Sequence, residues 1–356
     1  MRVGLVLGAG GVMGGAWLTG GLQALAAETG WDPASADHIV GTSAGSMIAG
    51  LLACGVPPWF MVAHSAGESF EGLLDAQGRP AAEADRSAGA VFRLHRGAPP
   101  VGPGSWSLIA RSLRAPHRHR PAALAAGWLP RGLISTEPLK DTIRRVVPGT
   151  WAEHPSLWIV ACDYATGRRV PFGREDAPPA ELPDAVAASC AIPGFYRPVD
   201  IDGRAYVDGG LWSTSNLDIL RSAGLDLVIC LNPTSSLHPT HAWNPGEVVA
   251  GALRRASGRR LGWEAKRLRE AGTRVVLVQP TVRDLAVMGP NLMSRSRRNI
   301  VIRTAIETIS EQLQAEGVRE ELAELPAGNP YRVRRPDGPP YTWPTDLLPG
   351  GRAQAA

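Results

Sequence analysis

The chain is short of cysteine: Cys54, Cys162, Cys190 and Cys230 are all it has in 356 residues. They are scattered through mostly apolar contexts and lack metal-ligand spacing, which argues against a disulfide framework or a thiolate metal site. Four reduced core thiols are expected, as suits a cytoplasmic protein. Long hydrophobic runs are missing too, since no apolar stretch approaches the roughly 20 residues that cross a bilayer. Met1-Arg-Val-Gly-Leu-Val-Leu7 enters a glycine loop too early to leave a separate apolar segment and cleavage site, so no signal peptide is expected. Contact with a membrane would therefore be peripheral. Charge of one sign is also lacking. With 37 basic and 33 acidic residues and a net charge of +4, the excess is too small to argue for nucleic acid, and no nucleic-acid motif is present. There is no internal repeat.

What is present is alternation. Apolar runs predict strands near residues 2–7, 37–41, 156–163, 196–207, 226–232 and 274–279, with helices between most of them and over 246–272 and 296–315. The expected fold class is α/β, a three-layer α/β/α sandwich around a mostly parallel sheet. The expected organisation is one domain over 1–325 and a Pro-rich C-terminal tail over 326–356, lying on the domain or disordered. Residues 60–130 interrupt the alternation and read as an insertion or lid. Trp106 with Arg111, Arg114, His117, Arg118, His119 and Arg120 reads either as a membrane-facing patch or as an ordinary solvated face.

Two glycine-rich strings carry the chemistry. In Gly41-Thr-Ser43-Ala-Gly45 a strand runs into a helix, and the two glycines remove side chains that would clash around a serine in a strained turn. Ser43 then sits at a helix N-terminus, where developing negative charge is favoured. The plainer reading is a tight turn with an incidental serine. The earlier string, Gly8-Ala-Gly10-Gly11-Val-Met-Gly14-Gly15, fails as a P-loop because no Gly-Lys-Ser/Thr follows. A dinucleotide fingerprint fits only with altered spacing, because the third glycine of G-x-G-x-x-G falls on Met13. The remaining readings are a purely structural turn and an oxyanion hole, in which the Gly10 and Gly11 amides donate to a carbonyl oxygen attacked by Ser43. A third string, Asp208-Gly209-Gly210, ends a hairpin that turns at Asp202-Gly203. Asp-Gly is itself a common turn pair.

Taken in order, Gly10-Gly11-x-x-Gly14, Gly41-x-Ser43-x-Gly45 and Asp208-Gly209-Gly210 resemble the three signatures of the patatin-like phospholipase family. Gly132–Leu139, Ala161–Gly167 and Ala187–Pro193 resemble further segments of bacterial members, and the likeness extends to about residue 315. The resemblance implies Ser43 as nucleophile, Asp208 as its base, and an oxyanion hole in the loop of Gly10, Gly11 and Gly14. It implies hydrolysis of lipid esters, phospholipid or lysophospholipid, without metal or cofactor. An acyltransferase with the same dyad and a non-catalytic lipid-binding relative are the alternatives. Two departures stand out: Met13 occupies a position that is basic in many members, and Ser213-Thr-Ser-Asn216 replaces an asparagine and proline pattern. His241 would complete a serine, aspartate, histidine order, but Ser43 follows too few strands for an α/β-hydrolase.

Overall fold

The computed structural model describes residues 1–68, 70, 72–80, 91–96, 101–115, 117, 121–236 and 245–351. Its strands are β1 (Val3–Leu7), β2 (His38–Thr42), β3 (Leu157–Asp163), β4 (Arg169–Phe172), β5 (Val199–Ile201), β6 (Arg204–Asp208), β7 (Leu227–Leu231) and β8 (Arg274–Val278). Its helices are α1 (Gly11–Thr29), α2 (Ala44–Ala53), α3 (Pro58–Ala66), α4 (Trp106–Arg114), α5 (Pro121–Trp128), α6 (Glu137–Arg144), α7 (Leu182–Ser189), α8 (Pro245–Arg269), α9 (Val282–Met288), α10 (Arg298–Gln314), α11 (Glu316–Leu322) and α12 (Pro330–Val333). All eight strands belong to one sheet, in the order β5-β6-β3-β2-β1-β7-β8, with β4 also paired to β3. β2, β1, β7 and β8 run parallel to their neighbours and to β3, whereas β4, β5 and β6 are antiparallel.

β1 and β7 are buried along their whole length, because a central parallel strand is covered on both faces. Alternate residues turn to opposite sides. Leu5, Leu7, Ile39, Ile159 and Ile229 join a core with Trp17 of α1, Met47 of α2, Val186 of α7 and Ile309 of α10. Val6, Val40, Val160 and Val228 pack on the other face against Leu217 and Leu220, and against Leu261 of α8. The result is the three-layer α/β/α sandwich. No single helix among the described residues is long and apolar enough to cross a membrane.

One difference from the sequence expectation is informative. β4 is absent from that expectation, since its four residues lie between a Thr-Gly turn and a Gly turn and contain Pro171, which reads as loop. The expected hairpin is present: β5 and β6 pair antiparallel and turn at Asp202 and Gly203, both at positive φ.

Within 60–130, Leu108 of α4 and Ala126 of α5 pack against Cys162, Tyr164 and Val207. Cys162 lies on the same face of β3 as Val160, so these helices cover the face away from Met47. Arg118, His119 and Arg120 lie outside the described residues. At the C-terminus Trp343 and Leu347 are buried with Trp59, Phe70 and Leu73. Arg332 Nε donates to Asp32 Oδ2 at 2.6 Å, and Trp59 Nε1 to the Tyr331 carbonyl at 2.9 Å. Proline limits helix here, yet the apolar side chains still find a surface.

Candidate active site

Ser43 links β2 to α2 at φ 55°, ψ −123°, a backbone conformation rarely adopted by a residue with a side chain and found where function demands it. Several contacts hold it there. The Ser43 amide donates to Ser189 Oγ at 2.9 Å, and Ser189 Oγ donates to the Val160 carbonyl at 2.6 Å. The Ser43 carbonyl accepts from Ser46 Oγ at 2.6 Å and from Cys190 Sγ at 3.1 Å. Gly45 permits the close approach of α2 to β1, because a Cβ there would lie 2.0 Å from the Leu7 carbonyl oxygen. Gly41 is similarly confined, 2.6 Å from Ser46 Cα.

The neighbour of Ser43 comes from 165 residues away, and β3 brings it there. Along β3, β4 overlaps β2 at Ile159 and Val160, and overlaps β6 at Ala161 and Cys162. A strand has two edges, so β2 and β6 occupy the same edge of β3, end to end. Thr42 pairs with Val160 and Asp208 with Ala161, which sets the residue after Thr42 beside Asp208. Ser43 Oγ donates to Asp208 Oδ2 at 2.6 Å, and Asp208 Oδ1 accepts from the Gly210 amide at 2.7 Å. Gly209 lies against β3, where a Cβ would meet the Val160 carbonyl at 2.1 Å. Burial raises the Asp208 pKa to about 6, against the lowering effect of those two hydrogen bonds. The carboxylate is thus a better proton acceptor than an exposed one.

The first glycine loop reaches the same place. Gly11, Val12 and Gly15 line a cleft with Ser43, Met47, Ile48 and Tyr196. Gly11 has φ 60°, and a Cβ would also lie 2.9 Å from the Leu292 carbonyl oxygen. Among the described residues no acceptor pairs with the Gly10 or Gly11 amide, whereas the Gly14 amide donates to the Gly10 carbonyl at 2.9 Å. The Gly10, Gly11 and Val12 amides are therefore the ones left to donate from this loop, and Gly14 provides room beside Pro233.

Met13 does not face the cleft. It is fully buried in the core with Trp17, and its amide donates to the Leu292 carbonyl. The side chain cannot tune charge at the site. Met13→Arg would bury an unpaired guanidinium, so it is expected to lower the thermal midpoint sharply or abolish folding. A soluble variant melting like the parent would show that the position is not core.

Three supporting residues escape a sequence reading of the site. Ser189 anchors the turn as described, but it lies 146 residues from Ser43. Asn216, at φ 50°, donates through Nδ2 to Thr42 Oγ1 at 3.1 Å and to the Ser213 carbonyl at 2.7 Å, tying the loop after Asp208 to the end of β2. Glu264, fully buried, accepts from Ser215 Oγ at 2.6 Å and the Leu217 amide at 3.0 Å, and pairs with Arg260 at 2.6 Å. Burial raises its pKa. One signal points to Glu264: it lies on the helical stripe of Leu261, Ala265 and Leu268. His241 lies outside the described residues. Among the described residues no cluster of three or more histidine, cysteine or acidic side chains is placed to hold a metal.

The family model described as patatin-like phospholipase matches residues 5–221, a span containing all three strings. Similar proteins include uncharacterized NTE family proteins of Mycobacterium bovis and of two strains of Mycobacterium tuberculosis. Each is 30% identical over 107 residues, which cover 30% of this chain and 28% of the relative. The chain thus aligns with little more than a quarter of those proteins. Among solved structures, VipD from Legionella pneumophila matches with a TM-score of 0.37 and 14% identity, over 87% of this chain and 67% of its own.

Proposed function

This chain belongs to the patatin-like phospholipase family, and on that premise we propose that it is a serine acyl hydrolase cleaving lipid carboxylic esters, phospholipid or lysophospholipid, through a Ser43–Asp208 dyad. The observation that carries this reading is the 2.6 Å hydrogen bond from Ser43 Oγ to a buried carboxylate, at the floor of a largely apolar cleft. Asp208 takes the serine proton as Oγ attacks the ester carbonyl, and the Gly10 and Gly11 amides stabilise the oxyanion. Collapse of the tetrahedral intermediate expels the alcohol, which receives the proton from Asp208. Water, deprotonated by Asp208, then attacks the acyl-enzyme, and the acid leaves as the Ser43 hydroxyl is restored.

We assign residues 1–325 to the catalytic domain and 326–356 to a C-terminal tail. Peripheral contact with a lipid surface is assigned to α4 and α5. There Trp106, Leu113 and Trp128 are 68%, 71% and 57% exposed beside the basic residues Arg111 and Arg114, a composition suited to an interface.

A panel of esters tests the function, offered both as dispersed monomers and in anionic vesicles and followed by product analysis. Free fatty acid is the expected product, with labelling of Ser43 by a fluorophosphonate. Acyl transfer to an added alcohol in preference to water would replace the hydrolase with a transferase. Absence of both turnover and labelling would leave a lipid-binding relative. A Trp106→Ser variant is expected to lose activity on vesicles and keep it on monomers; equal activity on both would remove the surface assignment.

A further inference from the structure

Beyond the Ser43 cleft lies a second, larger cavity. The two adjoin, for Thr19, Ile48 and Ser65 line both. Much of the wall is hydrocarbon, from Leu51 of α2, Phe60 of α3, Phe70, Leu73, Val146 and Leu348. Two acidic groups on the lining are already neutralised: Asp75 pairs with Arg79 and Glu68 with Arg335, each at 2.7 Å. A cavity of this character takes an apolar ligand in preference to a charged one.

One wall comes from the far end of the chain. Leu348 and Pro349 line the second cavity and not the Ser43 cleft. They are fixed by the buried Trp343 and Leu347, with Trp343 meeting Trp59 edge to face at 5.3 Å between ring centroids. The C-terminal segment is therefore docked against α3 beside the space it bounds.

We propose that this second cavity receives the long acyl chain of the ester presented to Ser43, and that Trp343–Pro349 bounds it and sets the acyl length the enzyme accepts. The proposal rests on the hydrolase reading above. The cleft holds the ester group and the adjoining cavity the chain, so binding grows with each methylene buried until the wall is reached. Transfer energetics make this growth roughly fourfold in kcat/KM per methylene.

The experiment compares p-nitrophenyl esters of four to sixteen carbons on the parent, Leu348→Trp, which fills the cavity from the C-terminal wall, and Val146→Phe, which fills it from the end of α6. The ratio of kcat/KM for the sixteen-carbon to the four-carbon ester is expected to fall at least tenfold in each filled variant, with melting like that of the parent. An unchanged ratio in a folded variant would overturn the proposal. Binding of a fluorescent long-chain fatty acid to Ser43→Ala protein provides a readout independent of turnover. It is expected to weaken at least tenfold when either filling substitution is added. If the parent hydrolyses no ester, the hydrolase reading fails while the binding result still decides the cavity. Absence of binding, or binding indifferent to both substitutions, overturns the cavity assignment. Should Leu348→Trp fail to fold, Val146→Phe carries the same two readouts.

Discussion

Ester hydrolysis by Ser43→Ala protein should fall to background, a loss on the order of 10⁶ in kcat, the scale on which a serine nucleophile matters. The substitution removes one oxygen and keeps a side chain of similar size at a position where the fold already holds φ at 55°. Backbone contacts from Ser189, Ser46 and Cys190 are made to the amide and carbonyl of residue 43, so they survive the change. Folding should too. The one interaction lost is the hydrogen bond to Asp208, which lowers that carboxyl's pKa. In the variant the Asp208 pKa therefore rises further. Purified Ser43→Ala protein that retained more than a trace of turnover, with a native melting curve, would remove Ser43 as nucleophile.

Asp208→Asn should lower turnover by about 10²- to 10⁴-fold, since the amide cannot accept the serine proton. Its pH dependence is the sharper test. With Asp208 titrating near 6, kcat/KM of the parent should rise with pH through about 6 and then level, because only the ionised form is the base. Residual turnover by the variant should lack that limb. Stability should move the opposite way. The folded carboxyl keeps its proton up to about pH 6, whereas an unfolded one releases it near 3.8, so between those values the native state binds more protons. Stability therefore falls as pH rises across that window, by on the order of 3 kcal/mol, and the deficit persists above it. The neutral amide never ionises. Asp208→Asn protein should consequently melt above the parent at about pH 8 and close to it below about pH 4. A variant less stable than the parent on the alkaline side would contradict a buried, destabilising carboxylate.

Much of this site is legible along the chain because its parts are local devices. Gly41 and Gly45 flank Ser43 since a strand-to-helix turn needs space within two residues of the serine, and Gly11 stands where φ is positive. Asp208 follows a hairpin whose turn, Asp202-Gly203, is a local signal as well. Ser189, Asn216 and Glu264 are different. Their partners lie 146, 174 and 49 residues away, so a window of neighbours, which does place Glu264 on an apolar stripe, does not show what any of the three bonds to. Met13 shows the same limit. Its position in the loop is plain from the chain, but the face it turns to the core depends on how α1 seats against the sheet.

The sequence by itself determined the α/β alternation, the three glycine strings and their order, and the strand ends on which Ser43 and Asp208 stand. Each is set by backbone geometry and apolar periodicity over a few residues, which do not depend on distant chain. Only the tertiary structure decided that β2 and β6 share one edge of β3, so that Thr42 and Asp208 face consecutive residues and the dyad closes. It also decided the burial that raises Asp208 toward 6, the withdrawal of Met13 into the core, and the packing of Trp343 and Leu348 beside a cavity that begins near Ser43. Burial and cavity shape are sums over surfaces supplied by segments far apart in the chain, so they come into being only when those segments meet.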